Sequence, residues 1–188
     1  MSEPLRVESP AGGERGPSGP ARSAGSVPGV RYTETEERNL VVVRQMFGEA
    51  EGPADKTELF AENAVWWNGL PMIPNAVGQT EHRGIEAIRN ILPSGGVKKH
   101  APGVDGYDMS TARADDVVML ADGDYVVRQQ TFSAKTFGGQ DYRNVYCFVF
   151  RFDAVGKIAY LTEHWNTWHA YNVLFNNFPM EPARPEGA

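Results

Sequence analysis

"YRNVYCFVFRFDAVGKIAYLTEHWNT", residues 142–167, is the stretch that decides the fold. Aromatic and β-branched residues fill both of its halves, and Gly156 marks a turn between them. Because side chains alternate along a strand, Arg143 and Arg151 fall on one face of the first half, while the tyrosines and phenylalanines fall on the other. The stretch therefore predicts two antiparallel strands joined by a turn.

Strands of similar composition precede this pair. "VDGYDMSTARADDVVML" (104–120) and "DYVVRQQTFSAKTF" (124–137) are rich in β-branched and aromatic residues, and the turn pair Asp122-Gly123 separates them. A shorter candidate strand, "AVWWN" (64–68), stands earlier in the chain. Together these segments predict a long antiparallel sheet that occupies mainly the second half of the chain.

Helical signals are concentrated in the first half. Thr33 with Glu36, and Asp55 with Glu58, have the spacing of a capping box at a helix start. Apolar periodicity and stop signals predict helices at 34–48, 59–64 and 85–92, and a closing helix at 169–178. Helices followed by a curling antiparallel sheet predict an α+β fold. The chain has no dinucleotide-binding glycine loop, and we expect no cofactor.

The two ends of the chain differ in composition from the middle. Residues 1–31 are rich in glycine and proline and carry almost no large apolar side chains, so burial cannot offset the entropy cost of ordering them. Residues 179–188 have a similar composition. We predict a disordered tail at 1–31, one folded domain at 32–178 and a flexible tail at 179–188.

Charge and cysteine content limit the classes of function. The formal net charge is −6 and the 18 lysines and arginines form no run, whereas nucleic-acid-binding proteins usually carry a basic patch. Cys147 is the single cysteine, so no intramolecular disulfide can form. Neither a leader-like segment nor an apolar run of about 18 residues is present. We expect a cytoplasmic protein that binds neither nucleic acid nor a membrane.

Two stretches carry a resemblance to a known family. "LFAENAVWWNGLPMIP" (59–74), followed by a helix that begins at a glycine, and the stretch 142–167 resemble the SnoaL-like branch of the nuclear transport factor 2-like superfamily. Its members include polyketide cyclases, ketosteroid isomerases and limonene-epoxide hydrolases. Over about 33–178 the resemblance implies a cone-shaped, strongly curved antiparallel sheet packed on three N-terminal helices. It also implies a homodimer and one apolar pocket for a small-molecule substrate.

Glu163 is the main catalytic candidate. Alternation places it with Leu161 and Trp165 on a mostly apolar face of the last strand, and the resemblance implies a carboxylate that points into the pocket. Among aromatic side chains a glutamate is desolvated, and its pKa rises from about 4.3 towards roughly 6 or 7, where it can move protons. The alternatives are a glutamate paired with an arginine and one that lies at a solvated sheet edge.

The resemblance implies further site residues. It places Asn68 as a second catalytic residue that orients a water or a substrate oxygen; alternatively, Asn68 with Gly69 is a plain turn pair. The side chains that it implies for substrate binding are Trp66, Gln129, Thr131, Asn144, Tyr146, Phe148 and Trp165. The alternative for the aromatic members is ordinary core. The hydrolases carry Arg-x-Asp where this chain has 129–131, and Arg128 restores that pattern only if the strand contains a bulge.

Two departures from the family patterns direct the choice of function. Ketosteroid isomerases need a carboxylate where this chain has Asn68 and an acid where it has Phe148, so that chemistry is disfavoured. His164 and His169 do not match a zinc-binding spacing, and we predict no metal. The favoured function is a cyclase or isomerase of an apolar oxygenated metabolite, such as a polyketide or terpenoid. An epoxide hydrolase of the limonene type and a non-catalytic ligand-binding protein remain as alternatives.

Overall fold

The computed structural model describes residues 30–69, 81–92 and 106–174. Most of the predicted N-terminal tail, the whole C-terminal tail and residues 175–178 lie outside these ranges. The helices are α1 (Glu34–Met46), a 3-10 helix (Lys56–Leu59), α2 (Ile85–Ile91) and α3 (Thr167–Leu174). The strands are β1 (Phe60–Trp67), β2 (Glu81–Arg83), β3 (Tyr107–Asp122), β4 (Tyr125–Thr136), β5 (Asp141–Phe152) and β6 (Ile158–Trp165). Within the described ranges no helix is long and apolar enough to cross a membrane.

The six strands form one sheet in the order β2-β1-β6-β5-β4-β3. Strands β3 to β6 are an antiparallel meander, as the sequence predicts. Strand β1 pairs antiparallel with β2 but parallel with β6, so the sheet is mixed rather than purely antiparallel. The predicted α+β class is confirmed, and the parallel pair brings β1 beside the end of β6.

One face of the sheet, called the inner face here, is covered by helix α1 and carries the core. Its β5 members alternate along the strand and are all buried: Tyr142, Asn144, Tyr146, Phe148, Phe150 and Phe152. At the end of α1, the ring of Phe47 meets Phe148 edge-on with centroids 5.2 Å apart. Burial of a large apolar side chain contributes about 1.5–3 kcal/mol, so this face supplies much of the stability.

The start of α1 is tied to the turn between β3 and β4. Thr33 and Glu36 form the predicted capping box, in which the Thr33 N–H donates to Glu36 Oε2 at 2.7 Å. The second oxygen, Oε1, accepts the Gly123 N–H at 2.8 Å, and Asn39 Nδ2 donates to the Gly123 carbonyl at 3.3 Å. The bonds from the Thr33 and Gly123 N–H groups lower the pKa of Glu36, with the bond from the Thr33 backbone as the largest cause. The glutamate thus caps a helix and holds a distant hairpin.

The helix predicted at 59–64 is wrong. Asp55 caps as expected and accepts the Thr57 N–H at 2.9 Å, but only a single 3-10 turn follows before β1 begins at Phe60. Phe60 pairs with Ile158 and Trp66 with Leu161 in the ladder with β6. Burial of these side chains in the sheet outweighs the weak local preference for helix.

Candidate active site

Glu163 lies on the inner face of the sheet. It stands directly across from Phe148 in the β5–β6 ladder, and residues paired across a ladder share a face. The indole of Trp66, a buried residue of β1, donates a hydrogen bond from Nε1 to Glu163 Oε2 at 3.1 Å. The parallel β1–β6 pair therefore holds the carboxyl group in place against an aromatic partner.

The surroundings of Glu163 change its acidity. Desolvation by burial raises the pKa of the carboxyl to about 7, and the hydrogen bond from Trp66 acts in the opposite direction. The residue as a whole is half-buried. The carboxyl group itself lies among aromatic side chains, and its local desolvation sets the pKa. A carboxyl in this range can both accept and return a proton near neutral pH.

Asn68 follows β1 and is held by its side chain and by its backbone. Its Nδ2 lies 3.1 Å from His82 Nε2, and Trp165 Nε1 donates to its carbonyl oxygen at 2.6 Å. The next residue, Gly69, has a φ of +67°, and a Cβ there would lie 2.8 Å from the carbonyl oxygen of Glu163. Only glycine fits this position easily, and its close approach to the Glu163 carbonyl oxygen brings Asn68 next to the end of β6.

Sequence reasoning missed His82. This buried residue lies on β2, a strand of three residues, and pairs with Trp66 across the β1–β2 ladder. Its ring nitrogen contacts the amide of Asn68, so it holds one of the predicted site residues. A lone histidine in so short a strand shows no periodic pattern, and no signal in the sequence could have found it.

Three hydroxyl groups meet on the inner face and form what we call the tyrosine cluster: Tyr107, Tyr142 and Tyr146. The hydroxyl of Tyr146 lies 2.9 Å from that of Tyr142 and 3.3 Å from that of Tyr107. Burial raises the pKa of all three phenols, and the charge of Glu163 adds a smaller contribution in the same direction. The cluster therefore remains neutral at physiological pH and acts through O–H hydrogen bonds.

Asn144 is a positioning residue. One of its amide hydrogens goes to the Tyr142 hydroxyl at 2.8 Å and the other to the carbonyl oxygen of Asn166 at 3.0 Å. Its Oδ1 accepts the Asn166 N–H at 3.2 Å. The side chain that the resemblance implies for substrate binding thus uses both of its donor hydrogens inside the protein, where it joins β5 to the end of β6.

Nearly parallel aromatic rings form a wall beside Glu163. The Tyr146 ring lies 5.7 Å from that of Phe148 at an angle of 8°, and 5.8 Å from that of Trp165 at 9°. Tyr146 and Phe148 lie two residues apart on β5, and Trp165 pairs with Tyr146 from β6, so all three rings share one face. Of the nine residues predicted for the site, the structure brings seven together: Trp66, Asn68, Asn144, Tyr146, Phe148, Glu163 and Trp165.

The predicted placement of Gln129 and Thr131 is wrong. Gln129 pairs with Cys147 and Thr131 with Val145 in the β4–β5 ladder, and these partners lie on the outer face of the sheet. Gln129 is exposed, and the hydroxyl of Thr131 donates to Asp116 Oδ2 at 3.3 Å. A shift of one residue along a strand moves every side chain to the opposite face. The inward positions of β4 therefore lie one residue before those that the hydrolase resemblance implies.

Arg128 and Gln130, the residues next to Gln129 on β4, face inward. No bulge interrupts the β4–β5 ladder, so their placement does not depend on one. Arg128 is fully buried and binds both carboxylate oxygens of Glu49, at 2.6 and 2.8 Å. Its Nε donates to Gln130 Oε1 at 2.7 Å, and its guanidinium lies 4.0 Å above the Phe47 ring. Glu49 rather than Glu163 therefore balances this buried charge.

The two histidines of the final stretch lie apart. His164 is exposed on the outer face, where its ring lies 5.1 Å from that of Trp67. His169, on α3, stacks on the Tyr142 ring. Among the residues that the structure describes, no group of three or more His, Cys, Asp or Glu side chains is arranged to hold a metal ion.

The fold is a mixed sheet packed on helices, and its aromatic inner face carries a carboxyl group. This is an α+β protein with a candidate site on the inner face of its sheet. Residues 43–161, well over half of the chain, match the family model of the SnoaL-like domain. The chain therefore belongs to the SnoaL-like family, and the resemblance drawn from the sequence is confirmed. None of the curated proteins matches the chain.

Solved structures show the same fold. A nuclear transport factor 2-like protein of unknown function from Burkholderia pseudomallei has a TM-score of 0.55 at 16% identity, over 73% of this chain and 97% of that one. A protein described as a putative isomerase from Bacillus subtilis has a TM-score of 0.54 at 21% identity, over 79% and 100%. A phenazine biosynthesis-related protein from Pseudomonas aeruginosa has a TM-score of 0.53 at 16% identity, over 82% and 90%. At these identities the likeness concerns the fold alone.

Proposed function

We propose that the protein is a small-molecule cyclase or isomerase in which Glu163 is the general acid and base. The observation that carries the proposal is a carboxyl group whose pKa is raised to about 7 on an aromatic face. Proton transfer is most efficient when the pKa of the catalytic group lies near the working pH. The substrate class that fits this face is an apolar oxygenated metabolite, such as a polyketide or a terpenoid.

The neighbouring residues have distinct roles in this proposal. Trp66 holds the carboxyl through its hydrogen bond, and Asn68 orients a substrate oxygen. The flat wall of Tyr146, Phe148 and Trp165 folds the substrate into a reactive shape. Much of the acceleration then comes from proximity, which suits a site with one proton-transferring carboxyl.

Internal opening of an epoxide is a reaction that one carboxyl can support. A hydroxyl of the substrate attacks an epoxide carbon, so a C–O bond forms as the epoxide C–O bond breaks. The neutral Glu163 carboxyl protonates the epoxide oxygen and regains a proton from the attacking hydroxyl. The proton count balances, and no water is consumed.

An ion pair between Glu163 and Arg143 or Arg151 would favour a non-catalytic binding protein, but both arginines lie on the opposite face of the sheet. Arg143 and Arg151 are exposed on the outer face, and the guanidinium of Arg151 lies 5.8 Å from the centre of the Tyr160 ring. The described partner of the Glu163 carboxyl is Trp66 instead. Among the residues that the structure describes, no arginine forms an ion pair with this carboxyl. This supports catalysis, because an ion pair lowers the pKa of a carboxyl and keeps it charged.

An epoxide hydrolase is the second candidate, and the inward-facing side chains of β4 favour it. Arg128 and Gln130 have the spacing of the Arg-x-Asp pattern of the limonene-type hydrolases once the register is corrected. Gln130 offers an amide where that pattern has a carboxylate, and Glu49 already binds Arg128. Activation of water by a second acid is therefore not supported, and the cyclase or isomerase is preferred.

Isotope labelling separates the two candidates. Mass spectrometry of small molecules that copurify with the protein identifies a substrate, and its conversion is then followed in water enriched in oxygen-18. We expect a product of unchanged composition without the label, because an internal hydroxyl or a proton shift completes the reaction. One labelled oxygen in the product would instead establish hydrolysis.

We also propose a homodimer that forms through the outer face of the sheet, with no membrane or nucleic-acid partner. Large apolar side chains are exposed there: Val118 at 43%, Leu120 at 44%, Tyr125 at 44% and Val145 at 50%. Contiguous exposed apolar surface commonly marks a protein contact. We expect light scattering to give twice the mass of the chain, and a Val145→Glu variant to give the monomer mass. A wild-type monomer at micromolar concentration contradicts this.

A further inference from the structure

His169 on helix α3 has no part in the proposed reaction, yet it carries an unusual polar atom. Its ring lies 5.5 Å from the Tyr142 ring at an angle of 17°, so the two are stacked. Its Nε2 is buried and has no hydrogen-bond partner in the described part of the chain. A buried polar atom without a partner costs about 1–3 kcal/mol, and native proteins pair nearly all such atoms. This nitrogen is therefore placed to be paired by a ligand.

The position of His169 is fixed by Asn144. The Oδ1 of Asn166 accepts the His169 N–H at 3.0 Å and so caps the start of α3. Asn144 binds the backbone of Asn166 through both its N–H and its carbonyl oxygen, and it also donates to the Tyr142 hydroxyl. The Asn144 amide therefore holds the Tyr142 phenol directly and the His169 imidazole through Asn166. The two stacked rings are in place before any ligand binds.

The hydroxyl groups of the tyrosine cluster all interact with one another. Tyr146 contacts Tyr142 and Tyr107, and a hydrogen bond between Tyr107 and Tyr142 also affects the pKa of both phenols. Asn144 contributes its own N–H to Tyr142 and so takes up an acceptor site rather than a hydroxyl hydrogen. Because a hydroxyl hydrogen rotates to suit its partners, an O–H of the cluster can turn to donate to a bound molecule.

We propose that His169 and the tyrosine cluster form a second polar subsite that binds a hydroxyl or keto oxygen on a flat ring of the ligand. A hydroxyl group of the cluster donates to that oxygen, and His169 Nε2 donates or accepts according to its tautomer. The stacked pair of His169 and Tyr142, together with the parallel rings of Tyr146 and Trp165, gives a planar ring a matching surface. The proposal shares the inner face with the proposed function but does not depend on proton transfer by Glu163.

A pair of probes that differ in one hydroxyl group tests the subsite. Binding of 2-naphthol and of naphthalene to the full chain is measured by titration of tryptophan fluorescence. Wild-type protein is expected to bind 2-naphthol about tenfold more tightly, which is the effect of one good hydrogen bond. His169→Phe keeps a ring against Tyr142 and the backbone N–H that Asn166 accepts, but removes Nε2. We expect it to lose most of the preference.

The control and a second measurement keep the test independent of folding and of turnover. His164→Phe changes the exposed histidine of the outer face and should keep the preference. In the wild-type protein, the nitrogen-15 resonance of His169 Nε2 should shift with 2-naphthol and not with naphthalene. Any one of four results overturns the subsite. These are equal affinities for the two probes, no binding of 2-naphthol, an unchanged preference in His169→Phe, and a His169 Nε2 resonance that does not shift with 2-naphthol. Glu163→Gln should keep the preference, so failure of the catalytic proposal and failure of this one are distinguishable.

Discussion

Glu163→Gln is expected to lower the turnover number by about 10²–10⁴-fold, the usual contribution of a general acid or base. Glutamine has nearly the same shape, and its carbonyl oxygen can still accept the Trp66 N–H, so the site should remain intact. It cannot take up or release a proton at neutral pH. Turnover of the substrate identified by mass spectrometry is compared with its binding constant, which should change little.

The matched control for this variant is Glu62→Gln, an exposed residue of β1 in the same sheet. It should leave both turnover and binding unchanged. In the wild-type protein the rate should also depend on pH around 7, where the Glu163 carboxyl titrates. If Glu163→Gln binds and converts the substrate as well as wild type, the protein has another proton-transferring group. Binding without any conversion by either protein favours the non-catalytic alternative.

The same residue should make the protein less stable as the pH rises. The pKa of Glu163 is 4.5 in the reference state and about 7 in the folded chain, so the folded state binds the proton more tightly. Between these values the unfolded chain has lost the proton while the folded chain retains it. The free energy of unfolding then falls by 1.36 kcal/mol per pH unit, or about 3 kcal/mol in all. Above pH 7 both states are ionised, and the loss is complete.

Denaturant unfolding at pH 4.5, 6 and 8 measures this effect, because glutamine imitates the neutral acid at every pH. The stability of Glu163→Gln relative to wild type should rise by about 3 kcal/mol across the series, whereas Glu62→Gln should show no such trend. A constant difference between Glu163→Gln and wild type means that the carboxyl is hydrated in the folded state. In that case the catalytic proposal loses its physical basis, even though the fold is unaffected.

Most of the fold could be predicted, because its signals are local. The capping box of Thr33 and Glu36 and the alternation along 142–152 each follow from neighbouring residues, and the structure confirms both. The segment 59–64 shows where local signals fail. Its cap at Asp55 is real, but the pairing of Phe60 with Ile158 joins residues far apart in sequence, and no local pattern shows that this contact will form.

The site was predictable only where a strand alternates cleanly. Glu163 stands out because its neighbours two residues away on either side, Leu161 and Trp165, are apolar. The sequence of strand β4 is misleading, because its buried inner face includes an arginine and a glutamine. Only the pairing with β5 shows which of its side chains point to the inner face. The tyrosine cluster joins Tyr107 to Tyr146 across two intervening turns, so it depends on sheet order rather than on spacing.

The indole of Trp66 fixes the orientation of the Glu163 carboxyl. An indole N–H can only donate, so it can bind Glu163 Oε2 whether the acid is neutral or charged. The gain or loss of a proton therefore leaves the carboxyl facing the same way. A tryptophan on the neighbouring strand, which exchanges no proton itself, sets the direction of the group that can.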